Sequence, residues 1–262
     1  MKRLILLLFS LSIFTSCNFT EEITFNDDGS GEFIMSYDMS EVMKTLEEEM
    51  GGSKDKEEKV KVKLDSVFYF KDMFVEKADS IATLSVEEQK ELKALETVVV
   101  KMYMDEEKGD FDFGFGSTFK SLEELPEVLE KIEKAKELNK ENSAEYSKMD
   151  ETAVAKASKN MFEYIDFSYD GKTFSRSLKE DYKQSSEDLE ALDKEISEMG
   201  EAKDMFEAMS YTLVYHFPKA VKSVSNKKAT ISDDGKTVKL KMNFIDMLKS
   251  PETMTLDVVL ER

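Results

Sequence analysis

Strict alternation of apolar and polar residues is the most legible pattern in this chain. In Asp110-Phe111-Asp112-Phe113-Gly114-Phe115 every second residue is aromatic, a period that a half-buried strand explains and a helix does not. Val98, Val100, Met102 and Met104 alternate in the same way just upstream, across Glu106-Glu107-Lys108-Gly109, so the two runs predict a hairpin. Asp28-Gly29, Asp170-Gly171 and Asp234-Gly235 each sit between alternating segments. Both residues of an Asp-Gly pair tolerate the positive φ that twisted hairpins need, which predicts three more hairpins. The first joins residues 23–25 to 32–37, with Phe33, Met35 and Tyr37 on one face. The last joins 229–232 to 236–242, with Val238, Leu240 and Met242 inward. Strands are also expected over 211–217, stopped by Pro218, and over 253–260, where Met254, Leu256, Val258 and Leu260 share a face.

Helices are expected between these strands. Ser85 with Glu88, and Ser121 with Glu124, have the spacing of a capping box, in which the two residues satisfy free amides at a helix start. Leu125, Leu129, Ile132 and Leu138 recur at helical spacing after the second box, with Pro126 tolerated in the first turn. Leu189, Leu192, Ile196 and Met199, followed by Phe206 and Met209, form another amphipathic face that Gly200 bends. Shorter helices are expected over 40–50, near 71–81 and over 244–249. Residues 51–61 and 139–160 are charged and lack an apolar period. They read as a flexible loop and as a linker or poorly packed helix, because neither buries enough surface to offset ordering entropy. The expected fold is α+β: a mainly antiparallel sheet built from β-hairpins, with amphipathic helices packed on one face, in a single body over 17–262.

The first residues follow a different logic. Lys2 and Arg3 precede an apolar run from Leu4 to Phe14, and Thr15-Ser16 lead into Cys17, the sole cysteine. The apolar stretch is about a dozen residues, against about 20 for a bilayer span. It reads as a lipoprotein signal peptide over 1–16, cut before a cysteine that carries diacylglycerol. An ordinary secretory signal with an incidental cysteine, or a short uncleaved anchor, are the competing readings. Two acyl chains on Cys17 give stable membrane attachment without a basic patch. Asn18 is not the aspartate that retains some lipoproteins at the inner membrane, and Glu21-Glu22 weakly favour surface export. The expected location is the outer membrane, facing the periplasm or the cell surface.

Charge narrows the partners. The chain carries 37 Lys+Arg against 56 Asp+Glu, a net charge of -19, and losing Lys2 and Arg3 with the leader takes it to -21. Such an excess repels phosphate backbones and anionic headgroups, so no nucleic-acid partner is expected. With Cys17 acylated, no thiol remains for a disulfide, a metal site or a nucleophile.

Few residues suggest chemistry. Asn26-Asp27-Asp28-Gly29-Ser30-Gly31-Glu32 imitates the start of an EF-hand loop, but the twelfth position is Tyr37 instead of a bidentate glutamate. His216 is the only histidine and shares a strand face with Thr212 and Val214, which suits a partly exposed strand residue better than a catalyst. There is no nucleophile elbow, and Gly114-Phe115-Gly116 lies inside a strand, not at a phosphate-binding turn. Hence no catalytic residue, metal ligand or cofactor is expected. The chain has 16 methionines and 18 phenylalanines. Flexible thioethers suit a cavity for apolar ligands as well as a plain core, so Phe111, Phe113, Phe115 and Met254 to Leu260, covered by the helix near 189–209, are candidate walls of a lipid pocket.

The signal ending Thr15-Ser16-Cys17, the hairpin ITFNDDGSGEFIMSYDMSEVM, the segment DSVFYFKDMFVEKADSIATLSVEEQKEL and the tail YTLVYHFPKAVKSVSNKKATISDDGKTVKLKM resemble a group of Bacteroidota lipoproteins. Phe217-Pro218 and the later Asp-Gly-Lys-Thr-Val hairpin are similar to the LppM-type lipoprotein domain. That resemblance implies an envelope α+β domain able to accommodate lipid, and it transfers no catalytic residue. The expected function is a lipid-anchored, non-enzymatic envelope protein that binds or scaffolds a lipid or an envelope protein. The alternatives are an apolar-ligand carrier, and a carboxylate-dependent hydrolase requiring two converging acids with raised pKa.

Overall fold

The computed structural model describes residues 18–40, 62–129, 153–200, 203 and 207–262. The leader with Cys17, the expected helix beyond Ser40, the charged loop 51–61, residues 139–152 and Phe206 lie outside the described residues.

Twelve strands are described: β1 (Asn18–Phe25), β2 (Gly31–Asp38), β3 (Lys63–Tyr69), β4 (Val98–Asp105), β5 (Asp110–Phe119), β6 (Ile165–Tyr169), β7 (Thr173–Leu178), β8 (Ser210–His216), β9 (Val221–Val224), β10 (Thr230–Ile231), β11 (Thr237–Asn243) and β12 (Leu256–Leu260). The described helices are α1 (Phe70–Glu76), α2 (Ala78–Ile81), α3 (Val86–Ala94), α4 (Ala153–Asn160), α5 (Ser186–Glu198) and α6 (Phe244–Lys249). The mainly antiparallel α+β class expected from the sequence is the class observed.

All four expected hairpins form: β1–β2, β4–β5, β6–β7 and β10–β11. Their turns are held by the aspartates. Asp28 accepts from the Ser30 amide at 3.0 Å, and Asp170 accepts from the amides of Lys172 at 2.9 Å and Thr173 at 2.6 Å. Gly29 and Gly171 supply φ of 84° and 82°, a region other residues enter only at a cost.

The strands make an eight-stranded sheet in the order β10-β11-β8-β1-β2-β5-β4-β3 and a four-stranded sheet in the order β6-β7-β12-β9. β1 runs parallel to β8, with Phe19 beside Tyr211 and Ile23 beside Tyr215, while the other pairings are antiparallel. The alternating residues Ile23, Phe25, Phe33, Leu213, Tyr215 and Leu240 are buried, and they form one core with Phe174, Leu256, Val258 and Leu260 of the small sheet. Rings fill that space: Phe25 stacks on Phe217 at 5.3 Å, and Phe174 meets Tyr215 edge-on at 4.8 Å. α6 adds Phe244, Ile245, Met247 and Leu248, and α5 adds Leu192 and Ile196.

The opposite face of the large sheet contains a close fit. A Cβ on Gly116 would lie 2.1 Å from the Phe33 carbonyl oxygen and 2.5 Å from Ile34 Cγ1. The two glycines of β5 thus leave room for Ile34, which is buried on this outer side.

Several elements differ from expectation. β3 and β9 do not stand out in the sequence, because β3 sets apolar Val67 and Phe68 side by side at exposed positions and β9 is only four residues long, so neither shows a clean apolar face. The helix near 71–81 is two short helices, α1 and α2. Gly200, at φ 59°, follows the end of α5 and does not bend a continuous helix. The Ser85–Glu88 capping box is present. At Ser121, instead, the hydroxyl donates to Glu123 at 2.9 Å while Glu124 accepts from the Lys120 amide at 2.8 Å, and a 3-10 turn follows. Residues 251–254 also form a 3-10 turn, so β12 starts at Leu256. Of the stretch 139–160, expected as a linker or poorly packed helix, the described part is the helix α4, whose Val154 is buried in the core.

Candidate functional site

Three polar clusters are built around β1, and each uses a different part of the strand. The first is at its beginning. Asn18 Nδ2 donates to Asp38 Oδ2 at 3.2 Å, and the Ser210 hydroxyl donates to Asn18 Oδ1, so the first described residue is fastened to both neighbouring strands. Asp38 Oδ1 also accepts from the Ser40 amide at 3.1 Å and hydroxyl at 2.6 Å, and the Phe111 amide donates to Ser40 Oγ at 2.9 Å. Asp112 faces Asp38 across β2 and β5. Burial, then the charges of Asp38 and Asp110, push the Asp112 carboxyl above its ordinary range. On the inner side of this rim Phe19 stacks on Phe244 at 4.7 Å and meets Tyr37 edge-on at 5.5 Å. Half-buried Met102 and Met104 pair across strands with Phe113 and Phe111.

The second cluster lies in mid-strand. Glu21 falls in the inward phase of β1, between Phe19 and Ile23, and is fully buried. Arg176, inward from β7 and also fully buried, donates from Nε to Glu21 Oε1 at 3.3 Å and from Nη2 to Oε2 at 3.1 Å. Its Nη1 donates to the Met254 carbonyl at 3.2 Å, and its guanidinium lies 5.4 Å from the Phe167 ring centre. Tyr211 and Tyr215 of β8 donate to the two carboxylate oxygens at 2.9 Å and 2.5 Å. Burial first, and the Glu21 charge second, push both phenols well up. The Arg176 guanidinium is held above its ordinary value because Glu21 and the tyrosines outweigh burial. A planar fork that binds both carboxylate oxygens is a geometry lysine cannot supply. The cluster joins the two sheets.

The third cluster lies on the outer face toward the far end of β1. His216 Nε2 is 2.8 Å from Glu22 Oε1 and its Nδ1 is 3.0 Å from Thr237 Oγ1. Lys101 bridges Glu22 at 3.3 Å and Glu32 at 3.9 Å, and the Tyr69 hydroxyl donates to Glu32 at 3.3 Å. The bond to His216, then Lys101, hold the Glu22 carboxyl below its ordinary range against the effect of burial.

These positions revise several readings. Glu21 and Glu22 point to opposite faces of β1: Glu21 is sealed in the core, and Glu22 is tied to His216 on the outer side. His216 is half-buried on a strand, as expected, with both ring nitrogens engaged. Met254, Leu256, Val258 and Leu260 are core residues, packed with Phe174 and Leu240, while Phe111, Phe113 and Phe115 are half-buried and Phe115 packs against that same core. Neither of the two grooves described is lined by either set. A groove of about 1090 Å³ runs between α4, α5 and residues 179–185 and mixes polar with apolar lining such as Lys156, Tyr164, Asp188 and Leu189. The Asn26–Ser30 segment is a turn, closed by Asn26 donating to Ser30 at 2.9 Å and by Ser30 donating to Asp28 at 2.6 Å. Among the described residues no group of three or more histidine, cysteine or acidic side chains converges as a metal site. Asp38 and Asp112 are paired acids with one raised pKa, but they stand at the sheet rim, and Asp38 is committed to Asn18 and Ser40.

The sequence missed the Glu21–Arg176 pair, although a signal was present. Alternation places Glu21 in phase with Phe19, Ile23 and Phe25, and Arg176 in phase with Phe174. Arg176 is also the sole arginine between Arg3 and the terminal Arg262.

No protein-family model matches the chain, and no curated protein matches it. Among solved structures it is similar to the NMR structure of the folded domain of Mycobacterium tuberculosis LppM, at 10% identity over 94% of this chain and 90% of that one, with a TM-score of 0.34. A likeness that loose transfers neither a topology nor a role. Among the described residues no helix is long and apolar enough to cross a membrane.

Proposed function

We propose that this chain is a lipid-anchored protein of the bacterial cell envelope, of the Bacteroidota lipoprotein kind, held at the outer membrane by diacylglycerol on Cys17. Its body faces the periplasm and has a non-enzymatic role, binding or scaffolding an envelope partner. The observation that carries the reading is the leader itself: Lys2-Arg3, an apolar run over residues 4–14, and Thr15-Ser16 leading into the sole cysteine, Cys17. The export signal ends at Cys17, and the first residue after it, Asn18, is already hydrogen-bonded into the large sheet.

The non-enzymatic part is supported by where the ionisable groups sit. Glu21, Arg176, Tyr211 and Tyr215 are sealed from solvent, and His216 and Glu22 satisfy each other on a sheet face. The test is Cys17→Ser in the exporting cell. No other side chain in the sequence can form the thioether, so the variant should accumulate as precursor that retains residues 1–16, with its body still folded. Normal processing and membrane retention of the variant would defeat the anchor. Protease treatment of intact cells tests the topology: a protected body supports the periplasmic side, and degradation defeats it.

A further inference from the structure

We infer that the sheet rim at the start of β1, including the β4–β5 hairpin tip at 106–109, is the face this protein turns to the membrane surface; the inference rests on the lipid anchor proposed above. One peptide bond, about 3.8 Å between Cα atoms, separates Cys17 from Asn18. Asn18 is not the end of a loose tether. It is paired with Ser210, bonded to Asp38, and continuous with a strand whose Glu21 is locked to the second sheet by Arg176. A lipid on Cys17 therefore pulls on a rigid edge, and the strand direction sets the orientation of the body.

The register identifies what lies at that edge. Asn18 is level with Asp38, which pairs with Asp112, and β5 continues past this level to Asp110 and the exposed tip Glu106-Glu107-Lys108-Gly109. The tip thus projects beyond Asn18 by at least two residues, roughly 7 Å. Half-buried Phe111, Phe113 and Met104 stand beside it on the inner face. The Asp28-Gly29 turn is at the other end of β1, roughly 23 Å along the strand from Asn18. The Asp170-Gly171 turn is also at that far end, since Tyr169 meets Phe25 at 4.4 Å.

The charge on the proximal rim specifies the kind of surface. Among the described residues, Lys63 and Lys108 pair with Asp105 at 3.4 Å and 3.8 Å, and Asp38, Asp65, Glu106, Glu107, Asp110 and Asp112 stand at the same level of the sheet or beyond it. This acidic excess is repelled by an anionic bilayer, which leaves a zwitterionic one as the surface that suits it.

Acylated Cys17 is the sole cysteine, so an introduced one can be labelled alone. The full-length gene carrying Glu107→Cys, or separately Asp27→Cys, is expressed for export. The membrane-extracted protein is labelled with a fluorophore and placed in phosphatidylcholine vesicles containing a headgroup-labelled acceptor. The mass of the N-terminal peptide is checked on the same sample. Quenching at 107 should exceed that at 27 by about two-fold or more, from a separation of roughly 30 Å along the strand direction. Equal quenching, or stronger quenching at 27, on protein whose Cys17 carries lipid would overturn the orientation and leave the anchor standing. Absence of lipid on Cys17 would overturn both.

Discussion

Replacing Glu21 by glutamine changes one oxygen into an amide nitrogen, and the core should respond as if a structural bolt had been removed. Four donors converge on the Glu21 carboxylate: Arg176 Nε and Nη2 at 3.3 and 3.1 Å, and the hydroxyls of Tyr211 and Tyr215 at 2.9 and 2.5 Å. A glutamine offers one acceptor oxygen and confronts the remaining donors with an amide that cannot accept. Arg176 keeps its charge, fully buried, with the Met254 carbonyl as its other partner. Breaking one side of such a pair costs about 3–5 kcal/mol, a large share of the roughly 5–15 kcal/mol that holds a domain together. The assay is equilibrium urea unfolding of the chain from Asn18 onward, followed by circular dichroism. With a slope of about 3 kcal/mol per molar urea, the midpoint should fall by about 1 M or more. A control separates charge from packing. Combining Glu21→Leu and Arg176→Met with Tyr211→Phe and Tyr215→Phe removes the charge and every donor directed at it, and stability should return to within about 2 kcal/mol of the parent. A loss below about 1 kcal/mol for Glu21→Gln alone would show that water reaches this site, and would refute the sealed bridge between the sheets.

Other positions give independent checks. Asp112→Asn should stabilise the protein at neutral pH: burial and the charges of Asp38 and Asp110 raise its folded pKa, so the penalty is present above that value and disappears as the pH falls through it. Parent and variant urea midpoints should converge at about pH 3, below the ordinary aspartate value of about 3.9. Glu22 has the opposite sign. His216 and Lys101 lower its folded pKa, so its contribution, under about 1 kcal/mol at a half-exposed site, is present above the unfolded value and lost on acidification through the folded one. Glu22→Gln should therefore flatten the acid limb of the stability curve. Gly116→Ala should cost about 1–3 kcal/mol by overpacking, because its Cβ meets the Phe33 carbonyl oxygen at 2.1 Å. Thermal unfolding would show this as a lowered midpoint, whereas an unchanged midpoint would mean that β5 shifts freely.

The parts of the fold that were legible in the sequence are those specified locally. Period-two alternation around Phe111 to Phe115, and the Asp-Gly pairs at 28, 170 and 234, encode both strand and turn within a dozen residues, and those hairpins form. The pairing of β1 with β8 joins Asn18 to Ser210, nearly two hundred positions apart, and no local pattern records it. The same holds for the small sheet, since β12 reaches back to β7 and β9 through backbone bonds. The Glu21–Arg176 bridge was hidden for another reason. Glu21-Glu22 reads as an acidic doublet until strand phase is applied residue by residue, and then one glutamate faces the core and the other the outer surface. The rim at β1 combines both situations: the leader points to Cys17 as the proposed anchor, but the side-chain bonds that fasten Asn18 come from Asp38 and Ser210, which only the fold brings to it.

The most direct test of the account is the mass of the N-terminal peptide of the wild-type protein, recovered from the membranes of the cell that exports it. The account predicts a chain beginning at Cys17, with diacylglycerol on its sulfur and residues 1–16 absent. An unmodified Cys17, or a mature N-terminus at any other residue, would contradict it.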